Sequence, residues 1–387
     1  MKKYLLLFLL IVSISTVYSQ IDPLNSPYYG NGPYTVVMDS NMTTTPDILV
    51  FRPSNSQNGP FPTVLFQPGA NSGTVYITKH SYDLYWQHLA SYGYVVIIMN
   101  NTSGGPNGTL FTSMHDWIKT QVNSGSGWMS EYIDLNRFIV SGHSNGGMNA
   151  TDIIIDRPSE IQAIVYMASY PNPGIFGLGA QNVTNYTGKA LLMCGSEDET
   201  SVTFVGTTND VAETAYTSKF TSVDCKTWVF FNGVGHGGFG DYSNPSQPVG
   251  SIGRDNVTAS VRHMLVSFLN SQFYWDGPAY TNLSIVANQP NSVGEFNNTC
   301  ETMVNSNILN LSETFTIYPN PASEMLKVTG ISETVSLNIY DIQGNLVDRI
   351  NNCSDMVLVP IGNYAKGYYV IQIIGANTHI QRTFVKE

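Results

Sequence analysis

The run Arg137-Phe-Ile-Val-Ser-Gly142-His143-Ser144-Asn145-Gly146-Gly147 constrains this chain more than any other stretch. A short apolar strand enters G-x-S-x-G, and a helix-like pattern follows from about Met148 to Ile155. In a strand–turn–helix of this kind the serine takes a strained backbone conformation. The flanking glycines are needed because a Cβ at either position collides with the neighbouring strand or helix. The turn puts a hydroxyl at the tip of a parallel sheet and at the positive end of a helix. A chain built around it is expected to be α/β.

The first residues read Met1-Lys-Lys, then an apolar run Leu5–Val12, then Val17-Tyr18-Ser19-Gln20. A basic start, an apolar stretch too short to span a bilayer and small residues before the cut predict a signal peptide over residues 1–19. No later segment reaches about 18 continuous apolar residues, so a soluble mature protein without a membrane span is expected. Removing Lys2 and Lys3 from the 17 basic side chains leaves 15 against 28 acidic ones, a net charge of −13. Without basic clusters, such a chain is a poor partner for nucleic acid or anionic membranes. Asn-x-Ser/Thr sequons such as Asn101-Thr-Ser and Asn107-Gly-Thr matter only in a eukaryotic secretory route.

Cys194, Cys225, Cys300 and Cys353 sit in a chain expected to be exported, where disulfides are allowed; their spacing resembles no metal site. Cys194 ends one predicted strand and Cys225 begins the next. In neighbouring parallel strands those positions fall at opposite ends of the sheet. At about 3.3 Å per residue this is too far for a bridge, which needs Cα atoms within about 7 Å. Buried or free thiols are expected at both.

Residues from about 27 to 290 alternate apolar strands and helices. The predicted strands are Asp47–Phe51, Thr63–Gln67, Tyr94–Met99, Arg137–Ser141, Ala163–Met167, Ala190–Cys194 and Thr227–Phe231, with helices such as Ser81–Ser91 and Ala259–Ser271 between them. A polar, Asn-rich stretch from about Gln289 to Asn310 reads as a linker. The last 75 or so residues change to short alternating strands, Leu326–Val328, Val335–Tyr340, Met356–Val359 and Tyr368–Ile374, with a turn at Asp341–Gly344. The expected organisation is a signal peptide at 1–19, a catalytic domain at 20–290, a linker at 291–312 and a small all-β sandwich at 313–387.

A serine hydroxyl at neutral pH is a weak nucleophile and needs a base within hydrogen-bond reach. In the α/β-hydrolase order, the acid follows a late strand and the histidine follows the last one. Of seven histidines, only His236 and His263 lie beyond the late strands of the catalytic domain. His236 sits in Gly235-His-Gly-Gly directly after Thr227–Phe231, where glycines suit a mobile imidazole; His263 falls within a helical pattern and reads as structural. His143 is turned away from the hydroxyl by its place next to it. After strand Ala190–Cys194 comes Gly195-Ser-Glu197-Asp198-Glu199. The usual spacing after the glycine selects Asp198, and a spacing one residue longer selects Glu199; Glu197 reads as a solvated turn residue. An oxyanion hole needs two backbone N–H groups aimed at the developing charge. Asn145 supplies one, and Ala70, in Pro68-Gly-Ala70-Asn-Ser-Gly73, is the candidate for the other.

At Tyr318-Pro-Asn-Pro-Ala322, Ile339-Tyr-Asp-Ile-Gln-Gly344, Gly367-Tyr-Tyr-Val-Ile-Gln-Ile373 and Phe384-Val-Lys-Glu387 the tail resembles the C-terminal sorting domain of type IX secretion cargo. The resemblance implies a Bacteroidetes-type bacterium, engagement of the type IX machinery, passage through the outer membrane, and a secreted or cell-surface location. A carbohydrate-binding or adhesive β-module is the alternative for this segment.

Phe66-Gln-Pro-Gly-Ala70, His88-Leu-Ala-Ser-Tyr-Gly-Tyr-Val-Val96, Ile133-Asp-Leu-Asn-Arg-Phe138 and the nucleophile elbow Gly142-His-Ser144-Asn-Gly146 resemble bacterial cutinases and polyester (PET) hydrolases, and more widely the dienelactone-hydrolase and platelet-activating-factor acetylhydrolase-like lipases. The resemblance runs over about residues 30–300. It implies an α/β-hydrolase fold with a mostly parallel sheet and helices on both faces. It further implies Ser144 as nucleophile, His236 as base, Ala70 and Asn145 as oxyanion donors, and Tyr170 in place of the substrate-clamping tryptophan. The chain departs from the family at Ala70, where an aromatic residue is usual, and at Asn145, where methionine is usual. An ungapped overlay puts Glu199 on the catalytic aspartate. The family's C-terminal disulfide looks incomplete, because Cys300 matches one half and residues 275–285 supply no partner.

The resulting expectation is a secreted, monomeric serine carboxylester hydrolase with a Ser144–His236–Asp198 triad, needing neither metal nor organic cofactor. Its substrates are short- to medium-chain esters or polyesters such as poly(ethylene terephthalate), reached through a cleft without a large lid between Tyr170 and Ala190. A small-ester lipase without polymer activity, a peptidase on the same fold and a non-catalytic surface adhesin are the alternatives.

Overall fold

The computed structural model describes residues 19–39, 47–71, 75–100, 109–175, 178–205, 208–242, 244–300, 315–341, 346–375 and 379–387. The expected signal peptide up to residue 18, both quoted sequons, most of the expected linker and the turn at 342–345 lie outside them. The chain divides after Cys300 into two compact units.

In the first unit the strands are β1 (Val36–Asp39), β2 (Ile48–Pro53), β3 (Phe61–Gln67), β4 (Val95–Met99), β5 (Ile133–His143), β6 (Ala163–Met167), β7 (Lys189–Glu197), β8 (Lys226–Gly235) and β9 (Val293–Asn298). They form one sheet in the order β1-β2-β4-β3-β5-β6-β7-β8-β9. From β4 to β8 every pairing is parallel; β1, β2 and β9 join antiparallel at the edges. The predicted apolar runs therefore form the centre of the sheet, where both faces are covered. Successive residues point to opposite faces: Val64 and Phe66 join one core, and Leu65 joins the other. Helices α1 (Asp83–Ala90), α7 (Arg254–Phe273) and α8 (Gly277–Ser284) cover the first face. Helices α2 (Thr109–Asn123), α4 (Asn145–Asp156) and α6 (Thr208–Thr214) cover the second, with α3 (Trp128–Tyr132) and α5 (Glu199–Val205) between them in sequence. Each fully buried Val, Leu, Ile or Phe contributes about 1.5–3 kcal/mol, so these two layers are the main source of stability.

Strand order reverses at β3, which lies between β4 and β5. Connections leaving β3 and β5 diverge to opposite faces there and open a crevice beyond the strand ends, the usual place for a site in such sheets. Register sets the site's geometry: Gln67 is opposite Gly142, His143 opposite Met167, and Glu197 opposite Gly235.

Two edge strands, β1 and β9, were not expected from sequence. Strand β9 lies inside the stretch read as linker, so the sheet continues past residue 290 to Asn298. Its burial alternates weakly and mostly polar side chains face solvent, leaving little apolar signal. This strand also corrects the cysteine reading. Cys225 is bonded to Cys300, with Cα atoms 4.0 Å apart, while Cys194 and Cys353 are free and buried. Because β8 and β9 run antiparallel, the residue entering β8 and the residues leaving β9 meet at the same sheet end. The exclusion of a Cys194–Cys225 bridge stands, but Cys225 is not a free thiol.

In the second unit β10 (Thr316–Tyr318), β11 (Met325–Asp341), β12 (Leu346–Pro360), β13 (Gly367–Gly375) and β14 (His379–Lys386) pair antiparallel throughout. Two expected strands, Leu326–Val328 and Val335–Tyr340, are the halves of β11, which is broken by register shifts on either side of Ile331. Such bulges bend a strand. Both halves feed one core, with Leu326 and Val359 alongside Leu337, Ile371 and Phe384.

Two consequences are measurable. The Cys225–Cys300 bond closes a loop of 75 residues, and such a bond is worth about 2–5 kcal/mol. Cys300→Ser is expected to lower the denaturant midpoint of the first unit accordingly; an unchanged midpoint refutes this. Buried His88 and His263 are held neutral: His88 Nε2 donates to the Gly30 carbonyl at 2.8 Å, and His263 Nε2 donates to the Asn282 carbonyl at 3.2 Å while its Nδ1 accepts from Ser26 Oγ at 2.8 Å. Burial pushes both imidazoles down to about 4, against about 6.5 in an unfolded chain. Between these values the unfolded chain takes up protons that the native state refuses, so stability held above pH ~6.5 is lost as pH falls toward 4. Urea midpoints measured from pH 7 to pH 4.5 are expected to fall steadily, and a flat profile contradicts the assignment.

Candidate active site

Strand β5 ends at His143 and α4 starts at Asn145, leaving Ser144 alone at the turn with φ 53° and ψ −125°. An L-residue adopts this conformation only where its surroundings impose it. Here Ser144 N–H donates to the Met167 carbonyl at 3.1 Å. The Ser144 carbonyl accepts from Gly147 N–H at 3.0 Å and from Ser169 Oγ at 2.6 Å. A Cβ on Gly142 would stand 2.1 Å from the Gly146 carbonyl carbon, and one on Gly146 would stand 2.2 Å from the Gln67 carbonyl oxygen. The G-x-S-x-G spacing is thus a statement about backbone contact. As the first residue of α4, Asn145 has an N–H without an intrahelical partner, at the positive helix end.

On the far side of the crevice, His236 Nδ1 lies 2.9 Å from each carboxylate oxygen of Asp198. The pair is enclosed, Asp198 at 0% and His236 at 2% exposure. Ser201 N–H donates to Asp198 Oδ1 at 2.9 Å and Ser201 Oγ to Oδ2 at 3.0 Å. Asp198 therefore caps the N-terminus of α5, where a carboxylate is favoured. Burial opposes its ionisation, but the His236 charge and hydrogen bonds, with those from Ser201, outweigh it and hold the carboxyl below its usual range. An acceptor on both oxygens requires His236 to carry its proton on Nδ1, which leaves Nε2 as a base.

Glu199 is exposed at the start of α5, and Asp198 occupies the position beside the imidazole. Glu197 is not the solvated turn residue expected. It is half-buried and accepts from Ser251 N–H at 2.7 Å and Ser251 Oγ at 2.5 Å, tying β7 to the loop beyond His236. The glycines around His236 serve close packing more than mobility: a Cβ on Gly235 would meet the Pro248 carbonyl at 2.4 Å, and one on Gly237 the Gln247 carbonyl at 2.1 Å. The Arg254 guanidinium donates to the carbonyls of Gly237, Gly240 and Tyr242, fastening this loop to α7.

The loop after β3 crosses the elbow at Gly69, where a Cβ would approach Ser144 Cβ at 3.4 Å and His143 Nδ1 at 2.9 Å. Ala70 follows, half-buried; residues 72–74 lie outside the described residues. His143 brings the two sides together, its ring centroid 4.5 Å from that of His236. Burial first, and the His236 charge second, hold His143 far below the usual imidazole range. Tyr170 is only 3% exposed; burial pushes its hydroxyl pKa up, a hydrogen bond with Ser201 opposes this, and Asp198 and Cys194 add to it.

Motif and spacing single out Ser144, Asp198, His236, Ala70 and Asn145 as candidates. They do not single out the contacts of Ser169, Ser201 and Arg254 or the inward placement of His143. Ser201 had a local signal, since Asp198-x-x-Ser201 reads as a helix cap; the others act across long sequence separations. Among the described residues no group of three or more His, Cys, Asp or Glu is placed to hold a metal ion, and no helix is long and apolar enough to cross a membrane.

Comparison with curated proteins returns no match. Residues 63–248, which span β3 to the loop beyond His236, match the family model described as the alpha/beta hydrolase family. Residues 316–387 match that of the secretion system C-terminal sorting domain. The chain thus carries an alpha/beta hydrolase domain followed by a sorting domain for type IX export, which marks it as a hydrolase sent to the cell surface or the medium.

Proposed function

We propose that the first unit is a serine carboxylester hydrolase of the cutinase and polyesterase kind, acting on short- to medium-chain esters and on polyesters such as poly(ethylene terephthalate). The observation that carries the reading is the enclosed His236–Asp198 pair, 2.9 Å on both oxygens, whose imidazole lies 4.5 Å from the ring of His143, the residue before a serine held at φ 53°. Positioned by Asp198, His236 Nε2 takes the Ser144 hydroxyl proton as Oγ attacks the ester carbonyl carbon. Charge on the carbonyl oxygen falls to the N–H groups of Ala70 and Asn145. Collapse breaks the ester C–O bond, and His236 returns the proton to the leaving alcohol. Water then attacks the acyl-enzyme with His236 again as base, releasing the acid and Ser144.

Among the described residues between Tyr170 and Lys189 there is no helix or strand, which favours a cleft without a structured lid and fits both small esters and polymer chains. Where the resemblance supplies an aromatic wall this chain has Ala70. Aromatic contacts add about 0.5–1.5 kcal/mol beyond burial, so the loss weakens the grip on an aromatic ester without abolishing it. Tyr170 has too little exposed surface to stack on substrate as it stands. We assign its hydroxyl to the wall behind Asp198 and only its edge to the substrate. The unit is read as acting alone, as a monomer.

Hydrolysis of para-nitrophenyl esters from C2 to C16 by the exported chain is expected to disappear with Ser144→Ala. Retained turnover in that variant overturns the assignment. Asp198→Asn is expected to lower kcat by about 10⁴-fold, as loss of the orienting carboxylate does elsewhere; Glu199→Gln is expected to stay within about threefold. Equal losses in the two variants contradict the choice of acid. Cleavage of aminoacyl anilides without ester hydrolysis selects a peptidase instead.

A further inference from the structure

A buried polar pair that the triad does not use joins the loop bearing Ala70 to the imidazole of His236. Tyr82, fully enclosed just before α1, packs its ring on Phe66 at 4.7 Å. Its hydroxyl accepts the Gly69 N–H at 3.0 Å and lies 2.8 Å from His143 Nδ1. Burial keeps the phenol protonated, so that proton needs an acceptor, and Nδ1 of His143 is the atom in reach. Its other ring nitrogen, Nε2, then carries the proton. His143 is itself fully enclosed; Tyr82 lies on one side at 5.6 Å, Tyr242 at 6.4 Å, and the His236 ring at 4.5 Å. Only glycine at position 69 leaves room for the same nitrogen, because a Cβ there would come within 2.9 Å of Nδ1. One hydroxyl thereby orients the Pro68–Gly69 peptide, one before that of Ala70, and fixes the tautomer of the ring that supports the base.

We propose that Tyr82 and His143 are positioning residues, a hydrogen-bonded bridge that holds the oxyanion loop and the His236 imidazole in register with each other. Neither touches the reacting atoms. Tyr82 sets the Pro68–Gly69 peptide, one before the peptide that carries the Ala70 N–H, and neutral His143 is the platform on which His236 rests. The inference depends on reading Ser144, His236 and Asp198 as the hydrolytic machinery. It goes beyond that reading in giving a role to the residue before the nucleophile and to a tyrosine 61 residues upstream of His143. Misplacement of catalytic groups by small distances is enough to lower a rate sharply, which gives such a bridge its leverage.

The test combines a tautomer measurement with kinetics on the exported chain. Nitrogen-15 histidine spectra are expected to show His143 in the Nε2–H form, and a wild-type Nδ1–H form overturns the bridge whatever the kinetics. Tyr82→Phe removes only the hydroxyl and is expected to lower kcat for para-nitrophenyl acetate about tenfold, with KM within about twofold. His143→Phe, which keeps a ring but no acceptor, is expected to lose a similar factor, and the double variant little more than either alone, as partners in one interaction do. A lowered melting temperature with unchanged kcat per active serine shows packing only and overturns the proposal. Fully additive losses overturn it as well. If Ser144→Ala is inactive while Tyr82→Phe is unaffected, the bridge falls and the site stands. If Ser144→Ala stays active, the site reading falls and the catalytic role of the bridge falls with it.

Discussion

The backbone around Gly146 lies so close to the carbonyls of Gln67 and Pro68 that no side chain fits between them. That contact presses the first turn of α4 against the end of β3, and much of the site follows from it. Ser144 is forced into its strained turn, Asn145 takes the first position of the helix, and the loop after β3 passes close to Ser144 at Gly69. The cost of the strained residue is on the order of 1–3 kcal/mol. It is offset by two fully covered sheet faces and by hydrogen bonds that converge on the Ser144 carbonyl. Elbow strain and sheet stability are therefore a single arrangement seen at two scales.

Electrostatics complete the arrangement by keeping neighbouring groups in opposite states. Asp198 stays ionised at 0% exposure because His236 and both donors of Ser201 compensate for lost water. His143, equally enclosed, is kept neutral first by its burial and second by the charge of neighbouring His236. An imidazolium formed on His236 then meets one carboxylate and one uncharged ring. Two histidines whose centroids are 4.5 Å apart can play different parts because each nitrogen proton is placed by a different neighbour.

The central parallel strands and the residues around Ser144, Asp198 and His236 were legible because their signals are local. A run such as Val95–Met99 is apolar at every position because both faces are buried, and the elbow motif encodes contacts within a few residues. Edge strands escaped the same reading. β9 exposes polar side chains and resembles a linker until its partner β8 is known. The Cys225–Cys300 bond was hidden for that reason, since only the antiparallel pairing brings those ends together. Tyr82 and Arg254 were invisible on a different ground. A tyrosine and an arginine in helical surroundings look ordinary, and only the folded chain places their polar atoms on Gly69 and on the His236 loop. In the second unit, the bulges in β11 made one long strand look like two.

The position of the disulfide decides where tension enters the first unit. The chain continues to the sorting domain from Cys300, two residues beyond the end of edge strand β9. An edge strand loaded at its end opens like a zipper, one hydrogen bond at a time. With Cys300 bonded to Cys225, a pull on the tail bypasses the β8–β9 ladder and is carried covalently to the root of β8, between β7 and β9. The handle by which the protein is exported is thereby riveted to the interior of the sheet, and the His236 loop at the other end of β8 is shielded from peeling.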